Sequence, residues 1–151
     1  MHIDGHSIPG RYAPNTLTRK DQQKQLRMLK NSRNLYKKGR FPTRKKVKSF
    51  VSLPSLHVKR AQALYGVPIK PSQALAKASG CPLSVLRGIV KKGEGAYYSS
   101  GSRPNQTAKS WAYARLASAL TGGKAAKVDF HLLKTCNPLK KAFQLARKKM
   151  A

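Results

Sequence analysis

Acidic residues are scarce in this chain. Only four of its 151 residues are Asp or Glu, whereas 32 are Lys or Arg, which gives a formal net charge of +28 at pH 7. Because acid/base pairs and two-metal sites are built from neighbouring carboxylates, this scarcity argues against both kinds of site. We therefore expect a protein that is not an enzyme, takes no small-molecule substrate and uses no metal or other cofactor. The four acidic residues are scattered at Asp4, Asp21, Glu94 and Asp129.

Cysteine and long apolar runs are scarce as well. Cys81 and Cys136 form no CxxC pair, and the four histidines show no zinc-ligand spacing. The first residues lack the charged and apolar regions of a secretory signal, so we expect two reduced, buried thiols rather than a disulfide. No apolar stretch approaches the ~18 residues that a membrane span needs.

The excess of cations is the main feature that is present. Most Lys and Arg side chains cannot pair within the chain, so they must face water, counterions or an anionic partner such as nucleic acid or a membrane surface. Apolar residues make up 40% of the chain, enough for a modest core. The patterning below predicts an all-α fold of about five or six helices with extended basic arms. We expect an extended N-terminal arm over 1–15, a basic helical domain over 16–136 and a basic C-terminal helix over 137–151.

Local signals place several helices. Thr18 is a typical N-cap, and Gly39 a typical end, for a first helix. A second helix is predicted over about 55–65 and a later one over about 108–120. The segment 124–136 fits either a short helix or an extended piece, and Asn137-Pro138 predicts the start of a last helix.

Residues 72–91 have the pattern of a helix-turn-helix corner. Ser72 caps a short helix, Gly80-Cys81 forms the turn, and Pro82 begins a second helix. Such corners either read DNA or serve as plain packing units. The sequence leaves both interpretations open.

The segment 40–52 is rich in Lys and Arg with interleaved aromatic residues, which is typical of a polyanion groove and also of a nuclear-import signal. Together with the corner, the segment 93–107 and the last helix it supplies our candidate polyanion-binding residues. These are Arg44, Lys45, Lys46, Lys48, Arg87, Lys91, Lys92, Arg103, Lys148 and Lys149.

Residues 93–107 contain three glycines and several hydroxyl side chains, which predicts a long polar loop. Backbone N–H groups, hydroxyls and Arg103 of such a loop could hold a phosphate or a carboxylate. In the alternative, Tyr97 and Tyr98 pack beneath the loop and fix it. The loop candidates are Tyr97, Tyr98, Ser99 and Ser100.

Three stretches resemble an uncharacterised domain family of large double-stranded DNA viruses, phycodnavirus- and mimivirus-like, and of some large phages. The most specific stretch is KGEGAYYSSGSRPNQTAKSWAYARLASALTGG over 92–123. The others are the stretch 17–50, with its SRNLYKKGRFPTRKKVKSF, and the segment 125–136. The family carries no assigned catalytic residues. The resemblance implies a viral setting, in which small minor proteins lie beneath the major capsid shell and above an anionic inner membrane.

Two functional hypotheses follow. The first is a minor capsid protein, made in the host cytoplasm and placed on the inner side of the capsid, whose partners are major and other minor capsid proteins and an anionic inner membrane. The second is a nucleic-acid-binding protein for virion DNA or genome packaging, acting through phosphate contacts and the helix-turn-helix-like corner.

Overall fold

The fold is all-α, as predicted. The computed structural model describes the backbone of residues 2–3 and 6–151, and the side chains from Ile8 onward. Within these residues eight α-helices occur, and the only strands are the two-residue pieces His2–Ile3 and His6–Ser7, which pair antiparallel. The helices are α1 Arg19–Lys37, α2 Leu56–Tyr65, α3 Gln73–Ser79, α4 Leu83–Ser99, α5 Ala108–Leu120, α6 Lys124–Val128, α7 Phe130–Leu133 and α8 Lys141–Met150.

Helix boundaries follow the capping signals where these are local. The Thr18 hydroxyl accepts a hydrogen bond from the Asp21 N–H at the start of α1, and Ser72 does the same for Leu75 at the start of α3. Gly66 and Gly80 end α2 and α3 in the left-handed conformation that glycine adopts without a steric penalty. The ambiguous segment 124–136 forms two short helices, α6 and α7.

The chain divides into two compact units. One contains Met1–Leu53 and Glu94–Trp111, and the other contains Pro54–Gly93 and Ala112–Ala151, so α4 and α5 each contribute residues to both. The second unit holds the larger apolar core, whose members include Leu75, Leu86, Ile89, Leu116, Leu120 and Leu133. The first unit has a smaller core of Ile8, Tyr12 and Leu29, against which Leu26 and Trp111 pack.

The N-terminal segment differs from the extended arm that we expected. From Ile8 onward it lies in the core of the first unit, and Gly10–Tyr12 form a short 3-10 helix. The Gln25 side-chain amide of α1 donates to the Tyr12 carbonyl at 3.1 Å, and the Gln22 amide donates to the Ala13 carbonyl at 3.0 Å. These bonds connect the segment to α1. The part of the prediction that covers Met1, Asp4 and Gly5 lies outside the described residues.

Two further boundary predictions were wrong. The polar loop predicted from Gly93 begins only after Ser99, because α4 continues through Gly93 and Gly95. The last helix begins at Lys141 rather than at Pro138. The Asn137 side chain accepts a hydrogen bond from the Leu139 N–H at 2.9 Å, so it stabilises a turn before the helix instead of capping it.

Residue 93 of α4 is a glycine because α5 approaches it closely. A Cβ added at Gly93 would lie 2.7 Å from the Ala112 Cα, a backbone atom that cannot move aside cheaply. A Cβ at Gly95 would meet nothing closer than 3.8 Å. The contact explains why a residue that disfavours helices occurs within α4.

We expect opposite effects from alanine at these two glycines. Gly93→Ala should lower the free energy of unfolding by about 1–3 kcal/mol, because the new methyl group overpacks against α5. Gly95→Ala should raise it by about 0.5–1 kcal/mol, because alanine favours the helix and finds room. Chemical denaturation of the two variants checks this pair, and equal stabilities would refute the close approach at Gly93.

Candidate anion-binding surface

The predicted polyanion-binding residues are exposed, with one exception. Arg44 is buried, and the remaining nine side chains lie on the surface of the two units. Those of the first unit are Lys45, Lys46, Lys48 and Arg103, and those of the second are Arg87, Lys91, Lys92, Lys148 and Lys149. The nine are thus divided between the two units.

Two of the three acidic side chains that the structure describes are engaged by groups of their own chain. Asp129 is fully buried and accepts two hydrogen bonds from the Arg115 guanidinium, at 2.9 and 2.7 Å. Asp21 accepts hydrogen bonds from the N–H and the hydroxyl of Ser49, at 2.9 and 2.6 Å, and these bonds lower the pKa of its carboxyl. Glu94 is half-buried. The carboxylates therefore leave most surface cations uncompensated.

Arg44 fills a structural role that the composition could not indicate. Its guanidinium donates to the Ser32 hydroxyl at 2.9 Å, to the Tyr97 carbonyl at 2.7 Å and to the Ser102 hydroxyl at 2.8 Å. It also lies 3.8 Å from the centre of the Tyr97 ring, a cation–π contact. Burial lowers the pKa of Arg44, against the opposing influence of neighbouring tyrosines. Among the described residues no carboxylate bonds to it.

The tyrosines assigned to the loop lie in α4, and so does Ser99, whereas Ser100 directly follows the helix. Tyr97 is fully buried, and its hydroxyl accepts from the Arg44 N–H at 3.0 Å and donates to the Gln106 carbonyl at 3.1 Å. This matches the alternative in which the tyrosines pack and fix the segment.

Tyr98 belongs to an aromatic cluster. Its ring stacks on Tyr36 with centroids 6.2 Å apart, and Phe41, which is 62% exposed, packs against both. Burial raises the pKa of the Tyr98 hydroxyl, and Tyr97 and Glu94 add to the increase.

The loop that follows α4 positions the basic segment, residues 44–47. Asn105 adopts a positive φ of 64°, and its side-chain amide bonds to Val47 at both ends, accepting from the N–H at 2.7 Å and donating to the carbonyl at 3.2 Å. Asn tolerates this backbone conformation better than most residues. Tyr97, Ser102 and Asn105 thus hold residues 44–47, so the neighbouring lysines project from a fixed backbone. We did not identify Asn105 from the sequence, because its partner lies 58 residues away.

The helix-turn-helix-like corner is present in the second unit. α3 and α4 are joined at Gly80–Pro82, where a Cβ on Gly80 would lie 2.6 Å from the Lys140 side chain. Along the first turns of α4, Ser84, Arg87 and Lys91 are all exposed. Lys92 instead contacts His131, with 2.8 Å between Nζ and Nε2.

The prediction of two reduced cysteines was wrong. Cys81 and Cys136 form a disulfide, and beside it the Asn137 N–H donates to the Gly80 carbonyl at 2.8 Å. The cysteines are separated by 55 residues and follow no motif, so their pairing depends on the tertiary fold. The bond connects the turn of the corner to the segment before α8.

The described residues were compared with the requirements of a metal cluster and of a membrane-spanning helix. They contain no group of three or more His, Cys, Asp or Glu side chains placed to hold a metal ion. Over the same residues, no helix combines the length and the apolar character required to cross a bilayer.

Comparison with known proteins gives one match. No curated protein and no solved structure matches the chain. A family described as "Family of unknown function (DUF5824)" matches residues 9–137, which include α1 to α7. The chain therefore belongs to this uncharacterised domain family.

Proposed function

We propose that this protein is a non-enzymatic structural component of a large double-stranded DNA virus particle, a minor capsid protein that cements shell proteins from the inner side of the capsid. The observation that carries the proposal is the exposed, uncompensated cationic surface on both units. Asp21 and Asp129 cannot neutralise it, because they bind Ser49 and Arg115 of their own chain. Such a surface complements acidic undersides of major and other minor capsid proteins. An anionic inner membrane would add about 1 kcal/mol per basic residue near the headgroups.

The viral setting rests on the resemblance of residues 92–123 to the family of large viruses. Within that stretch, Tyr97, Ser102 and Asn105 hold the basic segment 44–47 through hydrogen bonds. The most distinctive part of the sequence thus serves to present cations from a rigid backbone. This arrangement suits a cementing protein, whose contacts must keep a fixed geometry.

The disulfide adds one condition to the proposal. Cytosolic thiols are kept reduced, so a protein made in the host cytoplasm acquires the Cys81–Cys136 bond only where an oxidant acts on it. We place that oxidation during or after particle assembly.

Quantitative mass spectrometry of purified particles tests the capsid assignment. We expect the protein at a fixed ratio to the major shell protein, unchanged after nuclease treatment and release of the genome. A known genome-bound protein of the same particles, which should be lost with the DNA, serves as the control. Loss of this chain in parallel with the DNA would contradict the capsid assignment.

The alternative is a nucleic-acid-binding protein for virion DNA or genome packaging, and one specific observation favours it. Ser84, Arg87 and Lys91 are exposed on the first turns of α4, the part of a second helix that contacts base edges in helix-turn-helix proteins. Contact with ~6–10 phosphates would make duplex affinity fall about 10³–10⁵-fold between low and moderate salt. The double variant R87Q/K91Q should then lose sequence preference, whereas K148Q/K149Q should weaken binding to all sequences alike. Absence of measurable duplex binding removes this alternative.

A further inference from the structure

We propose that the first unit carries a discrete pocket for a single phosphate group, between α1 and residues 42–45. This inference rests on the proposed function and deepens it, because it names the chemical group through which an anionic partner such as the inner membrane would be bound at one defined place.

The pocket is a cavity of about 380 Å³ with two walls. One wall is a face of α1, where Lys24, Met28, Asn31 and Ser32 follow each other at helical spacing. The other wall is the extended stretch from Pro42 to Lys45. Most of the lining side chains carry N–H or O–H donors, and none of the described lining residues is acidic.

Three cations of the lining give the cavity its charge. Arg44 is only 8% exposed, and its hydrogen-bond partners are all neutral, so its charge is not cancelled locally. Interactions of a buried charge are screened less by water than those of a surface charge. Lys24 reaches over the basic segment, with its Nζ 3.5 Å from the Lys46 carbonyl, and Lys45 is exposed at the opposite wall. An anion in the cavity would therefore meet a fixed positive field together with two mobile ammonium groups.

A phosphate fits this arrangement better than a carboxylate does. As the free ion or a monoester, it offers at least three acceptor oxygens in a tetrahedral arrangement, which donors on both walls can reach at once, and it carries up to two negative charges against three cations. A carboxylate is planar and singly charged, and it would leave part of the donor set unused. The cavity also has room for the group to which a phosphate is esterified.

The pocket is rigid on one side, and this rigidity distinguishes it from a diffuse basic patch. Arg44 is held by Ser32 of α1 and by Tyr97 and Ser102, and Val47 of the same segment is held by Asn105. The backbone of this wall and the charge of Arg44 are therefore positioned before a ligand arrives, which reduces the entropy cost of binding.

Titration calorimetry of the full-length protein with inorganic phosphate tests the inference, with chloride at matched ionic strength as the reference. We expect saturable binding of one phosphate per chain. The variant K24Q/K45Q should bind phosphate at least about tenfold more weakly, because two of the charge-assisted donors are gone. The control variant K37Q/K109Q removes the same charge from exposed positions of the same unit and should stay within about twofold of the parent.

Vesicles that contain phosphatidic acid, a lipid phosphate monoester, distinguish the two sources of the phosphate group. If K24Q/K45Q loses vesicle binding more strongly than K37Q/K109Q does, the pocket takes a lipid headgroup. If both variants bind vesicles alike while only K24Q/K45Q loses inorganic phosphate, it takes a free phosphate. Absence of saturable phosphate binding by the parent, or equal losses in the two variants, would overturn the inference. Neither result bears on whether the protein is present in particles, so failure of the pocket and failure of the capsid assignment are distinguishable.

Discussion

Reduction of the Cys81–Cys136 disulfide is expected to lower the free energy of unfolding of the second unit by about 4 kcal/mol. The bond closes a loop across a sequence separation of 55 residues. Such a closure lowers the entropy of the unfolded chain, and the resulting stabilisation rises with loop length. Cys81 and Cys136 are each 2% exposed, so reduction of the disulfide requires a strong reductant or partial unfolding. Chemical denaturation of the oxidised and the reduced protein measures the difference.

The control for that comparison is the double variant C81A/C136A. Its stability should be independent of reductant, and it should lie near that of the reduced parent. If the oxidised and reduced parent proteins unfold at the same denaturant concentration, the disulfide does not stabilise the corner between α3 and α4, and this part of the account fails.

Replacement of Arg44 by methionine is expected to lower the free energy of unfolding by about 2–4 kcal/mol. The substitution keeps much of the side-chain volume but leaves the buried Tyr97 carbonyl and two serine hydroxyls without their donor. The hydroxyls can partly reorient, because Ser102 also donates to the Arg103 carbonyl. The carbonyl of Tyr97 has no such freedom, so we expect most of the loss to come from it.

Lys45 provides the matched control for Arg44. It is the next residue in the chain, it is exposed, and Lys45→Met should change stability by no more than about 0.5 kcal/mol. Arg44→Lys should fall between the two, since an ammonium group keeps the charge but cannot reproduce the guanidinium geometry. Equal stabilities of the Arg44→Met and Lys45→Met proteins would contradict the structural role of Arg44.

Features of the fold that depend on neighbouring residues could be predicted from the sequence. The start of α1 at Thr18, the end of α3 at Gly80 and the whole of α5 follow from caps, stop residues and apolar spacing within a few positions. The exposure of most basic residues followed from the charge imbalance alone.

The remaining features depend on contacts between distant residues. The requirement for glycine at position 93 of α4 depends on Ala112, the burial of Arg44 on Tyr97 and Ser102, and the disulfide on a partner 55 positions away. Composition states how many cations a chain has, but it cannot say which of them points inward. The N-terminal segment is a similar case, because Gln22 and Gln25 of α1 receive it in a way that no local pattern indicates.

The central claim is that the working state of this protein includes an anion supplied from outside, and thermal unfolding with and without a polyanion tests it most directly. At low salt, saturating polyphosphate or polyaspartate should raise the Tm by about 5–10 °C, because a ligand that binds only the folded state stabilises it. The increase should shrink at ~0.5 M salt, where charges are screened. A Tm that is unchanged by every anionic polymer at low salt, in a protein that is already fully folded and monomeric, would contradict the claim.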